Sequence, residues 1–120
     1  MRVLVCGSRD FQAGAGLFEE LDMLHMEHEF TLVIEGEAKG ADTLAREWAE
    51  ARSIPVLSFP ADWKKYGKAA GPIRNKLMLD EGKPDLVVAF PSNGLENSNG
   101  TKNMIKQARA AGIKTIVIEE

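Results

Sequence analysis

Five short apolar runs recur along the chain: Val3-Leu4-Val5-Cys6, Leu32-Val33-Ile34, Val56-Leu57-Ser58-Phe59, Leu86-Val87-Val88-Ala89-Phe90 and Thr115-Ile116-Val117-Ile118. Each is nearly unbroken in its hydrophobicity, as expected for strands covered on both faces. Amphipathic stretches separate them. Ala41, Leu44, Ala45, Trp48 and Ala49 follow the i, i+3, i+4, i+7, i+8 spacing of one helix face. Leu17, Phe18, Leu21 and Leu24 mark a first helix, Ile73, Leu77 and Met78 a third, and Met104, Ile105, Ala108 and Ala111 a fourth. Five strands interleaved with four helices predict an α/β fold with an open, mainly parallel sheet, helices on both faces and right-handed crossovers.

That pattern is a Rossmann-like three-layer sandwich, with 3-2-1-4-5 the preferred strand order and the flavodoxin-like 2-1-3-4-5 the alternative. Gly82 and Gly112 stand where helix stops belong, Asn99 to Thr101 offers N-cap chemistry, and Pro72 suits the first position of the third helix. With 120 residues, the expectation is a single domain spanning 1–120. The chain is 44% hydrophobic and 28% charged, with a net charge of -3. This is an ordinary globular composition, and its acidity argues against a dedicated duplex-DNA binder. Lone Cys6 sits in an apolar run and reads as a buried, inert thiol. No apolar stretch approaches the roughly 18–20 residues that span a bilayer. No membrane and a reducing, cytoplasmic location are therefore expected.

In a doubly wound sheet the ligand sits beyond the carboxyl ends of the strands. The first loop there reads Gly7-Ser8-Arg9-Asp10: a glycine for close backbone approach, a hydroxyl, and a planar fork for phosphate or carboxylate. It lacks the G-x-G-x-x-G of dinucleotide sites. The second, Glu35-Gly36-Glu37-Ala38-Lys39-Gly40-Ala41-Asp42, opens a helix whose free amides suit an anion. Asp42 there serves either its own helix start or, like Glu37, ribose hydroxyls. Pro91 to Lys102 is long and polar, and its Asn99-Gly100-Thr101 end can present amides and a hydroxyl to phosphate. It is not a P-loop, because five residues separate Gly94 from Gly100 and Thr101 precedes Lys102.

The segment Pro60 to Lys76 is the richest in chemistry. From Trp63 to Leu79 there are five basic residues and no acid, a local excess that points to a compact anion. Trp63 and Tyr66 can stack on a base while Lys68 and Arg74 meet phosphate or ribose oxygens. Arg74 and Asn75 follow Gly71-Pro72 at a helix start, where both can face the cleft. Lys64 and Lys65, taken alone, read as solvated.

Other chemistries find little support. His25 and His28 lie three apart on the first helix, with no further His or Cys on that helix, and read as solvated surface residues rather than metal ligands. There is no G-x-S-x-G elbow. A phospho-receiver needs acids after the first strand and an Asp closing the third; Gly7-Ser8-Arg9 and Phe59-Pro60 stand there instead.

GSRDF, EGEAKGADTLAREWA, FPADWKKYGKAAGPIRNKLML and AFP followed by GTKNMI together resemble the YspA-like family of the SLOG superfamily, over nearly the whole chain. The resemblance implies a Rossmann-like domain binding nucleotides or nucleotide-derived ligands, with LOG phosphoribohydrolases and the DNA-processing protein DprA as relatives. It implicates Gly7, Ser8 and Arg9; Gly36, Gly40 and Asp42; Asp62, Trp63, Gly67, Gly71, Arg74 and Asn75; and Gly100 and Thr101. Two departures matter. Where the family pattern is Gly-Gly-Ala-Arg-Gly-Ala-Asp, this chain carries Glu37 and Lys39; where the LOG motif PGGxGTxxE places its glutamate, this chain carries Met104. A methionine cannot act as acid, base or carboxylate, so LOG-type cleavage would need Glu37, Asp42 or Glu96 instead.

Three functions follow as expectations. The favoured one is a sensor or binding module for a nucleotide-derived small molecule such as an ADP-ribose-like ligand, with Gly7, Ser8, Arg9, Gly36, Lys39, Gly40, Asp42, Trp63, Lys68, Arg74, Asn75, Gly100 and Thr101 as site residues and no cofactor or metal. The second is an enzyme cleaving an N-glycosidic or phosphate linkage of such a ligand. The third is a DprA-like binder of single-stranded DNA, against which the net charge counts; nucleic acid is not the expected partner. Exposed apolar helix faces leave room for a homodimer.

Overall fold

The computed structural model describes residues 1–92 and 98–119. Strand β1 (Arg2–Gly7) lies at the centre of a five-stranded, all-parallel sheet of order β3-β2-β1-β4-β5, with β2 at Leu32–Glu35, β3 at Val56–Ser58, β4 at Leu86–Phe90 and β5 at Lys114–Val117. The expected order is the observed one. Leu4 pairs with Ile34 on one side and Val87 on the other. The two-residue period of a strand explains the unbroken apolar runs. Val3 and Val5 point into one layer, with α1 (Gly14–His28) and α2 (Ala41–Ala51); Leu4 and Cys6 point into the other, with α4 (Ala70–Gly82) and α5 (Asn99–Ala110).

The first layer is organised on Trp48, which is wholly buried and donates from Nε1 to Asp22 Oδ1 at 2.9 Å. Arg52 donates to both oxygens of Asp22, at 2.8 and 2.7 Å, tying α1 to α2. His25 and His28 are not the solvated residues expected. Both are half-buried, with His25 Nδ1 accepting from the Phe30 amide at 2.9 Å and both rings stacked on Phe30. The chain must reverse after α1, and Glu29 does so in the left-handed region at φ 52.

Five local expectations are corrected. The segment read as a loop from Pro60 to Pro72 contains a single helical turn, α3 (Trp63–Tyr66), and a tight turn at Gly67–Ala69. α4 therefore starts at Ala70, so Pro72 is its third residue; an N–H is dispensable throughout the first turn, which is why the ring is accommodated. Leu77 lies off the buried face, 43% exposed, and Leu79 takes its place beside Met78. At the end of α4 the left-handed residue is Lys83, whereas Gly82 is there because a Cβ would meet Ile34 Cδ1 at 3.0 Å. Gly112 does stop α5, at φ 74. Ser98, rather than Asn99 to Thr101, precedes α5, and its side chain makes no capping bond.

Candidate functional site

The strand order reverses between β1 and β4, and a cleft of about 520 Å³ opens there beyond the carboxyl ends of the strands. That volume falls in the range of small-molecule sites. Gly7, Ser8, Arg9 and Asp10 after β1, Ala38 and Asp42 from α2 and its entry loop, Trp63 and Lys68 from the α3 segment, Arg74 and Asn75 from α4, and Ser98 to Thr101 with Asn103 from α5 line it. Cys6 and Met78 also contribute. Burial pushes the Cys6 thiol far up, with Asp42 adding to the effect, so it stays protonated and inert.

The β1 loop is held by its own backbone. Ser8 donates its amide to Phe90 O at 3.1 Å, while its carbonyl accepts from Phe11 and Ala41, each at 3.2 Å. Gly40 makes the last contact possible: it sits at φ 75, and a Cβ there would lie 2.2 Å from Ser8 O. The Ser8 hydroxyl accepts from the Ser92 amide at 2.8 Å and shares a short hydrogen bond with Ser98 Oγ. The residue that would ordinarily cap α5 is thus engaged elsewhere. The first-turn amides of a helix have no intrahelical acceptor, and the first residues of α5, Asn99 to Thr101, line the cleft. Thr101 is 4% exposed, and its hydroxyl makes no hydrogen bond among the described residues.

Arg74 crosses the cleft wall. Its Nη1 donates to Gly36 O at 2.6 Å and its Nε to Asn75 Oδ1 at 3.0 Å. Gly36 is required for that approach, since a Cβ would stand 2.3 Å from Nη1. Burial lowers the Arg74 pKa, with Asp42 opposing and Arg9 reinforcing the shift. Asn75 is fully committed: its Nδ2 donates to Gly100 O at 3.2 Å and Asn103 Oδ1 at 3.1 Å. It couples Arg74 to the start of α5 rather than offering a free group to a ligand.

Asp42 does not cap its helix. Its Oδ2 accepts from the amides of Gly36 at 3.1 Å and Ala38 at 3.2 Å, bracing the β2 loop. Its other oxygen has no hydrogen-bond donor among the described residues. Burial raises its pKa to about 6; the Ala38 amide and Arg74 oppose the shift and Glu35 adds to it.

On the opposite wall Trp63 is half exposed, with the Arg9 guanidinium 5.2 Å from its ring centre and Gly71 behind it. Arg9 and Lys68 are exposed and form no salt bridge among the described residues. Among the residues named from the sequence, Gly7, Ser8, Arg9, Asp42, Trp63, Lys68, Arg74, Asn75, Gly100 and Thr101 come together here. Others do not line the cleft, Asp62 and Gly67 among them. Gly36 and Gly40 shape its wall from behind, and Lys39 faces a separate shallow depression with Phe11, Gln12, Thr43 and Leu44. Glu37 turns away toward Arg46 at 3.9 Å, and Tyr66, 40% exposed, is not among the residues that line the cleft. Glu96 lies outside the described residues.

Sequence reasoning passed over Ser98, Asn103 and Asp10. Asn103 was legible as the residue one turn after Gly100. It also missed the buried carboxylate of Glu35, which accepts from Ser58 Oγ and the Glu37 amide. Its signal was a charge ending an apolar strand.

Residues 1–66 match the family described as "YspA, cpYpsA-related SLOG family". The chain is 36% identical over 121 residues to the Gene 61 protein of Mycobacterium phage D29, covering 96% of this chain and 94% of that protein. Its fold is similar to that of DNA processing protein A (DprA) from Streptococcus pneumoniae, with a TM-score of 0.56 at 18% identity. That likeness is one of fold; it covers 96% of this chain, which spans 58% of that one.

Proposed function

The chain belongs to the YspA, cpYpsA-related SLOG family, and from that premise and the cleft chemistry we propose that it binds a nucleotide or a nucleotide-derived small molecule. One observation carries the reading: Arg9, Lys68, Arg74 and the uncapped start of α5 converge on the same cleft as the half-exposed ring of Trp63. Cations and free amides together suit phosphate, and an indole face suits a base. Arg9 now rests on that face. Its transfer to a ligand phosphate would free the ring for stacking, and the free oxygen of Asp42 would accept from a ribose hydroxyl.

The test is titration calorimetry with AMP, ADP, ADP-ribose, NAD and cyclic dinucleotides, alongside tryptophan fluorescence. There are two tryptophans, and Trp48 is wholly buried, so ligand-dependent quenching should vanish in Trp63→Phe. Arg9→Gln and Lys68→Gln change exposed side chains; each should weaken binding about tenfold or more, the usual worth of a charge-assisted hydrogen bond. Failure of the whole panel to bind, or unchanged affinity in both variants, overturns the reading.

A hydrolytic reading has one observation in its favour. Of the two described carboxylates considered as substitutes, Glu37 and Asp42, it is Asp42 that lines the cleft, with an oxygen unengaged among the described residues and a pKa raised to about 6, in the range of a general acid or base. Chromatography of the titrated ligands tests it: turnover lost in Asp42→Asn supports hydrolysis, and intact ligands leave a binding module. The fold neighbour DprA is a DNA processing protein, so a short single strand belongs among the ligands tried.

A further inference from the structure

We propose that the ligand is at least two linked nucleotides long, with the second base seated on Tyr66, outside the cleft, and its linking phosphate met by Lys64, Lys65 and Lys68. The inference rests on the nucleotide reading of the cleft and specifies what lies beyond it.

The segment from Asp62 to Ala69 is exposed at every residue. A helix of one turn, Trp63–Tyr66, has no stability of its own at that length and buries no residue in the core. It is nevertheless specified: Asp62 Oδ1 accepts from the Lys65 amide at 3.1 Å, and α4 begins at Ala70, immediately after the Gly67–Ala69 turn. The chain therefore maintains an ordered ridge carrying two aromatic rings, Trp63 49% and Tyr66 40% exposed. Two exposed aromatics adjacent on one ordered turn offer a contiguous surface for a ligand to cover.

Trp63 and Tyr66 are three residues apart within one turn, which makes their side chains neighbours, with Cβ atoms about 5–6 Å apart. Trp63 lines the cleft and Tyr66 does not, so the pair steps from inside the site to outside it. Lys65 Nζ lies 5.1 Å from the Tyr66 ring centre. Lys64, Lys65 and Lys68 form no salt bridge among the described residues. Successive aromatic platforms flanked by cations with no carboxylate partner among the described residues are what a sugar-phosphate chain needs, with stacking on the rings and charge on the backbone. A mononucleotide in the cleft would engage Lys68 but leave Tyr66, Lys64 and Lys65, which do not line it, without a contact.

The experiment compares AMP and GMP with the linked dinucleotides pApA and pGpG, and with short single-stranded oligoadenylate and oligoguanylate, by calorimetry on the full chain. We expect the dinucleotide to bind about tenfold or more tightly than the mononucleotide, in line with one added stack. Tyr66→Ala should erase the increment while leaving mononucleotide affinity unchanged, and Tyr66→Phe should keep it. Lys64→Ala with Lys65→Ala should reduce the salt dependence of the dinucleotide alone. If single strands bind as well as dinucleotides, with a steeper salt slope, the second unit belongs to a strand end; if they are excluded, it belongs to a free dinucleotide. Mononucleotide binding without any dinucleotide increment, or an increment untouched by Tyr66→Ala, sinks this inference and leaves the cleft reading standing. Absence of all binding sinks both.

Discussion

Asp42 shows how much chemistry one side chain concentrates. Its folded pKa of about 6 stands above the ordinary 3.8, so the native state holds a proton that the unfolded chain releases earlier. The stability tied to the neutral form is complete below pH 3.8 and is lost as pH rises through about 6, by roughly 3 kcal/mol for a shift of that size. Carboxylates such as Asp22, held below their usual range first by the Arg52 hydrogen bond and then by Trp48, work in the opposite sense. The cleaner quantity is therefore a difference between variants. Both loop amides reach the same oxygen of Asp42, so Asp42→Asn can keep both bonds and lose only the ionisation. Urea unfolding at pH 4 and pH 7 should show the Asn variant gaining about 2–3 kcal/mol on the wild type between the two; an equal difference at both pH values would contradict it. Glycines give a second residue-scale contrast. Gly40→Ala must place a Cβ against Ser8 O from a positive φ and should cost at least about 2 kcal/mol. Gly100 is helical with nothing within 4 Å of a Cβ, so Gly100→Ala should be neutral or stabilising by up to about 1 kcal/mol. Thermal melts of the two separate a glycine that shapes the wall from one that leaves room at the helix start.

Within α4, helix and site share one element. Met78 is 2% exposed and packs with Leu4, Ile34 and Met104, while neighbouring Leu77 is 43% exposed. Met78→Ala should destabilise by about 2–4 kcal/mol, and Leu77→Gln should stay within about 0.5 kcal/mol, measured by denaturant unfolding. The buried face of α4 also includes Gly71, Asn75 and Gly82, which no hydrophobic count would select, and that is why the third helix was the least legible of the four. Its periodicity was diluted because three of its inward positions serve purposes other than apolar packing: contact with Trp63, the bridge to α5, and clearance for Ile34. The strands were legible for the opposite reason. Burial on both faces leaves little except apolar residues, and the five runs fall within one residue of the observed ends. Within the site, residues announced by unusual chemistry, such as Arg9, Trp63 and Arg74, were readable. Small hydroxyls and amides such as Ser98 and Asn103 were not, because their significance lies in partners distant along the chain: Ser98 meets Ser8, and Asn103 meets Asn75.

Across the whole molecule, the arrangement reconciles a net charge of -3 with a cleft that favours anions. The sheet collects the loops after β1, β2 and β3 and the start of α5 at one end, so three cations reach one place although acids outnumber bases overall. The attraction for a phosphorylated ligand is therefore local, and much of it should be screened by salt. It should also appear as stability, because a ligand that binds only the folded chain stabilises it by mass action. At about 100 times its dissociation constant that amounts to about 2.7 kcal/mol, which for a chain of this size is a rise in Tm of about 10 °C. The expected result is such a rise with a panel nucleotide at low ionic strength, reduced to less than half in about 0.5 M salt, where the Debye length is down to about 4 Å. Arg9→Gln should show a smaller rise at low salt and a weaker response to added salt, because one screened contact is already gone. A rise that survives high salt unchanged in both proteins would mean that stacking on Trp63 carries the affinity and that the convergence of cations at the cleft does not.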